Sequence, residues 1–394
     1  MHEFKVNDYI TLKLESDKTI IYVAGERFRQ CKQLILNISI TEITELDEIK
    51  SIDEAIEKLG KEMEGITHNI PPEAEFWGHC SNLQVWYENN YDTKLLHSNL
   101  AFPLLKKLVD AGDPIARRIF KEEIIKRLGN GYPSVVEYLI TEGFLDSVNR
   151  EELLINVIIP EEAEVISELE RITKSNFFLV SRLKDSELIE QTFSVRDNHI
   201  VELDIAWDES EPQDLPESLT RLKYLKTLYY SGVHVKKIPK IITRLKSLQN
   251  LKIFSEELEQ IPIEIQYLTS LRTLLVAGGL LKSIPEAVSH LQSLESLAVV
   301  GTKVERLPES IEKIKSLKFL TLKNNQITEI PENIVKLKKL EILNISKNPI
   351  TRLPESLILH ETLKKLVISK ERLNERITPI LDELKKRDIK VLEV

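Results

Sequence analysis

A Leu-Pro or Ile-Pro dipeptide begins at positions 215, 238, 261, 284, 307, 330 and 353, each 23 residues after the last. A second pattern, LxxLxL with Ile, Val or Tyr allowed at its last place, keeps the same interval. It runs from Leu225-Leu228-Tyr230 through Leu271-Leu274-Val276 and Leu317-Leu320-Leu322 to Leu363-Leu366-Ile368. An earlier copy, Ile200-Leu203-Ile205, stands two residues farther from its Leu-Pro than the others do. Alternation around the second Leu has a period of two, which predicts a short strand with one face inward. After each dipeptide, apolar residues recur as in Leu307, Ile311 and Ile314, which suits a single helical or 3₁₀ turn. One strand and one turn cannot bury their own apolar side, so the units must stack. The expected product is a curved solenoid of eight rungs, its parallel strands lining the hollow and its turns on the convex side.

Residues 193–394 therefore resemble an intracellular leucine-rich repeat protein of the 23-residue, Leu-Pro type. Ras-binding scaffolds, plant Ras-group repeat proteins and many prokaryotic proteins share this type. The resemblance implies an α/β repeat fold, a protein partner held in the hollow, and a small GTPase or its regulator as a partner class. It also implies an Asn eight residues after the first Leu of each rung, where its amide satisfies turn backbone groups. Only Asn325 and Asn348 match; Val233, Glu256, Gly279, Thr302 and Glu371 stand elsewhere, and less regular turns are expected there. At the ends, 193–205 reads as a hairpin around Asp197-Asn198, and 377–394 as a closing helix and strand. Both cover an apolar core that stacking alone leaves open.

The residues flanking each buried Leu point into the hollow and form three columns. Only five of these 24 positions are charged. Tyr229, Phe254, Leu275, Ala298, Val300 and Phe319 make a largely apolar band across the middle rungs, flanked by Lys252, Thr321 and Lys323. Contiguous exposed apolar surface marks an interaction site, and aromatic residues are favoured anchors. These nine residues form the expected partner-binding set. The competing reading is that the amino-terminal half or a second copy of the chain already covers the band.

The amino-terminal part reads as a smaller, mostly helical α+β domain, in segments 1–70 and 71–192 and joined to the repeats near 184–192. YITLKLESDKTIIYVAGERF (9–28) is a β-hairpin turning at Ser16-Asp17-Lys18. Ser51 and Glu54 form a capping box for a following helix. Asp92 is expected to open a helix that Pro103 breaks or kinks. Gly112 closes one helix, Asp113-Pro114 opens the next, and Gly129 is expected to stop it. Segment 75–108 is similar to part of archaeal leucine-rich repeat proteins, a similarity that implies no activity.

Chemistry has few footholds. His68, Glu73, Glu75, His79, Cys80 and His97 cluster in sequence, but neither a CxxC nor an HExxH pair announces zinc. Cys80 as a nucleophile with His97 as its base would need the two brought together, which no motif provides. Packing of Phe76, Trp77, Trp86 and Tyr87 in a helical core explains the same residues. No GxxxxGK[S/T] loop signals nucleotide. A net charge of −9 sets up no field for nucleic acid or anionic lipid. No apolar run is long enough to span a bilayer, and MHEFKVNDYI lacks the layout of a secretory signal. Cys31 and Cys80 are too few for a disulfide framework. The expectation is a cytoplasmic, non-catalytic scaffold binding a protein partner, with no cofactor, metal or small-molecule substrate. The alternative is an enzyme whose active site lies in the amino-terminal domain and whose repeats choose the substrate.

Overall fold

The computed structural model describes residues 2–28, 71–96, 98–183, 191–207 and 214–394. The helix expected after Ser51, together with Cys31, His68, His97 and most of the joining segment, lies outside the described residues. The chain divides into two compact units, Met1–Lys126 with Phe144–Val148, and Arg127–Gly143 with Asn149–Val394.

The first unit opens with an antiparallel sheet of β1 (Glu3–Lys5), β2 (Ile10–Glu15), β3 (Lys18–Val23) and β4 (Glu26–Arg27), paired in that order. Ser16 and Asp17 both take positive φ (48° and 61°), the backbone of a tight two-residue hairpin turn. Ile10, Leu12 and Val23 are buried on one face of the sheet, against which the helix Pro72–Glu88 packs. That helix buries Phe76, Leu83 and Trp86, so its aromatic residues serve the core, although Trp77 stays exposed. Asp92 caps a 3₁₀ turn at Thr93–Leu95, and the α-helix begins only at Ser98, running through Pro103 to Asp110. Asp113 caps the next helix, accepting from the amides of Ile115 (2.8 Å) and Ala116 (3.1 Å). The same buried carboxylate accepts the Tyr91 hydroxyl at 2.5 Å, and Tyr91 accepts from Asn7 at 2.8 Å.

The second unit is built on one 11-stranded sheet in strict chain order. Its strands are β5 (Phe178–Leu179), β6 (Thr192–Arg196), β7 (His199–Trp207), β8 (Thr227–Gly232), β9 (Asn250–Phe254) and β10 (Thr273–Ala277). They continue as β11 (Ser296–Val300), β12 (Phe319–Thr321), β13 (Ile342–Asn344), β14 (Lys365–Ile368) and β15 (Lys390–Glu393). Only β6 and β7 pair antiparallel; every other pair is parallel. The second Leu of each LxxLxL falls in register with the next, from Leu203 and Leu228 to Leu343 and Leu366, and all are fully buried. On the other side of the core each repeat makes a five-residue 3₁₀ turn, from Glu217–Arg221 to Glu355–Leu359. The Pro of every dipeptide sits immediately before its turn, at φ between −58° and −72°, the value its ring imposes.

Rungs that lack the Asn satisfy their turns by other means. Ser255, one place earlier, donates to the Val233 (3.2 Å) and Val235 (2.8 Å) carbonyls and accepts the Glu257 amide at 3.1 Å. One rung on, Gly278 and Gly279 take φ of 80° and 93°, and a Cβ on Gly278 would lie 2.4 Å from the Ser255 carbonyl oxygen. Only glycine allows that approach and that backbone. The Thr302 hydroxyl bonds the Asn325 side chain directly.

The β6–β7 hairpin turns at Asp197 and Asn198, both at positive φ (51° and 63°). The Asn198 amide donates to the Gly129 carbonyl at 2.8 Å and its side chain to the Val157 carbonyl at 2.9 Å. A Cβ on Gly129 would stand 2.4 Å from that side chain, so this glycine makes room for the hairpin. The helix it was expected to stop runs on to Asn130 and ends at Gly131, φ 65°. The helix Pro160–Thr173 covers the first rung, with Glu164 on Arg221 at 2.6 Å and Glu168 on Ser218 at 2.5 Å. At the other end, Thr378–Lys386 buries Ile380, Leu381 and Leu384 before β15 pairs with β14.

Candidate functional site

With the Leu of each rung buried, the residues on either side of it face the hollow, and the strand register places them in columns. One column runs Thr227, Asn250, Thr273, Ser296, Phe319, Ile342, Lys365, Lys390. The next runs Asp204, Tyr229, Lys252, Leu275, Ala298, Thr321, Asn344, Val367, Leu392. A third runs Ala206, Ser231, Phe254, Ala277, Val300, with Lys323 just beyond the end of β12. Neighbours in a column are separated by about 4.8 Å, the strand spacing.

Exposure divides the hollow. At its amino-terminal end Asp204 is 2% exposed and Tyr229 5% exposed, and Ala206, Thr227 and Ser231 are also buried. Phe254, Leu275, Ala298, Val300 and Thr321 are half-buried, Lys323 is exposed, and Phe319 is 39% exposed. The middle strands thus present partly exposed apolar side chains on a hydrogen-bonded sheet. Tyr229 stands at the margin of this surface, its hydroxyl accepting from the Lys252 ammonium at 2.8 Å.

Charge is distributed just as unevenly. Glu202 and Asp204 are the acids of the first rung. Glu202 accepts from the Ser194 hydroxyl at 3.0 Å and the Leu183 amide at 2.9 Å. One Asp204 oxygen is buried without a hydrogen-bond partner, and burial pushes its carboxyl up to about 7. From β8 to β15 the hollow columns carry no acid, and their charges are Lys252, Lys323, Lys365 and Lys390. At the start of the strands, one residue before the columns, charges are matched instead. Arg272 and Lys318 hold Glu295 at 3.4 and 2.7 Å, and Lys364 holds Glu341 at 2.7 Å.

Lys390 and Leu392 did not stand out in the sequence. The closing strand was expected, but it lacks the LxxLxL signature, and the pairing of Leu366 with Val391 is what brings these two residues into the hollow columns.

The residues with catalytic potential are placed differently. Cys80 is 1% exposed, and burial pushes its thiol up to about 11, which leaves almost no thiolate at neutral pH. His79 is buried beside it, its Nε2 3.2 Å from the Glu75 carboxylate, and desolvation lowers its pKa. Glu73 lies 3.0 Å from His2. Among the described residues no group of three or more His, Cys, Asp or Glu is arranged to hold a metal ion.

Residues 315–359 match the family model for leucine-rich repeats in two copies. Solved structures that resemble the chain include a leucine-rich repeat protein of Leptospira interrogans, at 26% identity and a TM-score of 0.40, covering 49% of this chain and 54% of that one. An internalin of Listeria monocytogenes matches at 17% identity and a TM-score of 0.37, covering 48% of this chain and 53% of that one. The Toll–Spatzle complex of Drosophila matches at 20% identity and a TM-score of 0.37, covering 42% of this chain and 23% of that one. The chain thus spans about half the length of the first two structures. No curated protein matches it.

Proposed function

We propose that this leucine-rich repeat protein is a non-catalytic scaffold that holds a protein partner against the hollow face of its sheet. The observation that carries the reading is the half-exposed strip of Phe254, Leu275, Ala298, Val300 and Phe319. It lies on strands whose backbone and core are already satisfied by the repeat itself. Such a strip offers area and shape but no nucleophile, acid–base pair or metal ligand. Lys252, Thr321 and Lys323 supply polar contacts at its margins, and Tyr229, buried, supports Lys252 through its hydroxyl. Among the described residues no helix is long and apolar enough to cross a membrane. The reading places the scaffold in the cytoplasm, in keeping with the intracellular type its repeats resemble. That resemblance to Ras-binding scaffolds supports a small GTPase or its regulator as the first partner class to test.

The test replaces Phe254 and Phe319 together by Ser in the full chain and compares affinity capture from the native source, small GTPases included. The variant should keep its melting temperature and lose the proteins that wild type retains. Identical capture by a folded variant would remove the hollow from consideration.

A further inference from the structure

The carboxy-terminal third of the hollow has an arrangement that the repeat does not require. Phe319, Ile342, Lys365 and Lys390 occupy one column on four successive strands, in direct register. Two apolar side chains, one of them the exposed Phe319, are followed by two lysines at the spacing of neighbouring strands. Like charges in register repel, and such pairs destabilise a sheet. Two other lysines of this unit, at the strand starts, are neutralised across the same one-repeat offset: Lys318 holds Glu295 and Lys364 holds Glu341, both at 2.7 Å. Lys323, Lys365 and Lys390 enter no ion pair among the described residues. The hollow columns hold no acid from β8 to β15, although the whole chain carries a net charge of −9. Acids are therefore plentiful in this protein and absent from these columns.

We propose that this end of the hollow receives an acidic, partly apolar segment of a protein partner. Its carboxylates lie between Lys365 and Lys390 and beside Lys323, and an apolar side chain packs on Phe319 and Ile342. The proposal rests on the hollow being the binding face and adds the chemistry of what it binds. A polypeptide fits better than a nucleic acid for two reasons. The lysines flank an apolar floor with a single aromatic ring, where a stack of bases would need several. The net charge of −9 would repel a long polyanion, whereas a short acidic segment meets only the local lysines.

The experiment selects binders from a random-peptide display library on the full wild-type chain and on two folded variants, Lys365→Glu/Lys390→Glu and Phe319→Ser. Melting curves establish folding, and Lys365→Gln/Lys390→Gln replaces the reversed variant should it melt early. Wild type should enrich peptides combining Asp or Glu with apolar residues. Charge reversal should weaken those peptides by about tenfold or more, roughly 1.4 kcal/mol, and added salt should weaken them on wild type. Phe319→Ser should weaken them as well. Peptides that depend on Phe319 but show no acidic bias and survive charge reversal would overturn the acidic partner and leave the hollow as the binding face. Peptides indifferent to both changes, or no enrichment, would overturn both. Tighter binding of a single-stranded oligonucleotide than of any selected peptide, lost on charge reversal, would replace the acidic polypeptide by nucleic acid.

Discussion

The side-chain amides of Asn325 and Asn348, one repeat apart, converge on a single acceptor, the Leu322 carbonyl, at 2.8 and 2.7 Å. Each amide also reaches a second carbonyl, Val299 for Asn325 (2.8 Å) and Ile345 for Asn348 (3.0 Å). The Asn348 side-chain oxygen accepts the Ile327 amide at 3.1 Å. Both side chains are buried, so removing either leaves backbone groups without water or protein to bond. Asn325→Ala and Asn348→Ala should each cost about 1–3 kcal/mol. Sharing the Leu322 carbonyl couples them, so the double variant should depart from the sum of the two. Denaturant unfolding of the four proteins measures the coupling, and strict additivity would contradict the shared acceptor.

Phe319 and Leu320 are adjacent in sequence and opposite in role, because a strand turns successive side chains to opposite faces. Leu320 is fully buried, and Leu320→Ala should cost about 2–5 kcal/mol through lost contacts and a cavity. Phe319 already has 39% of its surface in water, and Phe319→Ser should cost far less stability while removing partner binding. Paired thermal melts and binding assays separate the two. Equal destabilisation would place Phe319 in the core and not at an interface.

These contrasts show which parts of the molecule could be read in advance. The LxxLxL register and the Pro before each 3₁₀ turn were legible because stacking identical units forces one solution on every rung. What periodicity cannot encode was not legible. Ser255 replaces the missing Asn from one position earlier, a shift that leaves no trace in the repeat alignment. Gly129 is glycine because Asn198, far along the chain, comes to rest against it. Tyr229 belongs to the expected apolar band by column, yet its burial depends on packing specific to the amino-terminal end of the solenoid. Lys365 and Lys390 become neighbours only once β15 joins the sheet.

Cys80 offers a check on the non-catalytic reading. A thiol that is buried and pushed up to about 11 should resist alkylation at neutral pH in the native chain. Peptide mapping after iodoacetamide treatment should find Cys80 unmodified in buffer and modified in denaturant. Rapid native labelling would mean a reactive, accessible thiol and would reopen the enzymatic alternative.

Asp204 should make stability depend on pH in a direction opposite to most carboxylates. Its pKa in the folded protein is raised from 3.8 to about 7, because burial penalises the charged form. Between those values the folded state holds a proton that the unfolded state has released, so stability falls as pH rises through that window. Above about 7 both states are ionised and the loss levels off. Relative to acidic solution the effect amounts to a few kcal/mol at most, on the order of 1.4 kcal/mol for each tenfold gain in proton affinity on folding. Asp204→Asn cannot ionise and should be more stable than wild type at pH 8. The difference in unfolding free energy between the two proteins should narrow steadily as the pH is lowered toward 4. A difference that stays constant across that range would mean that Asp204 is solvated in the folded chain.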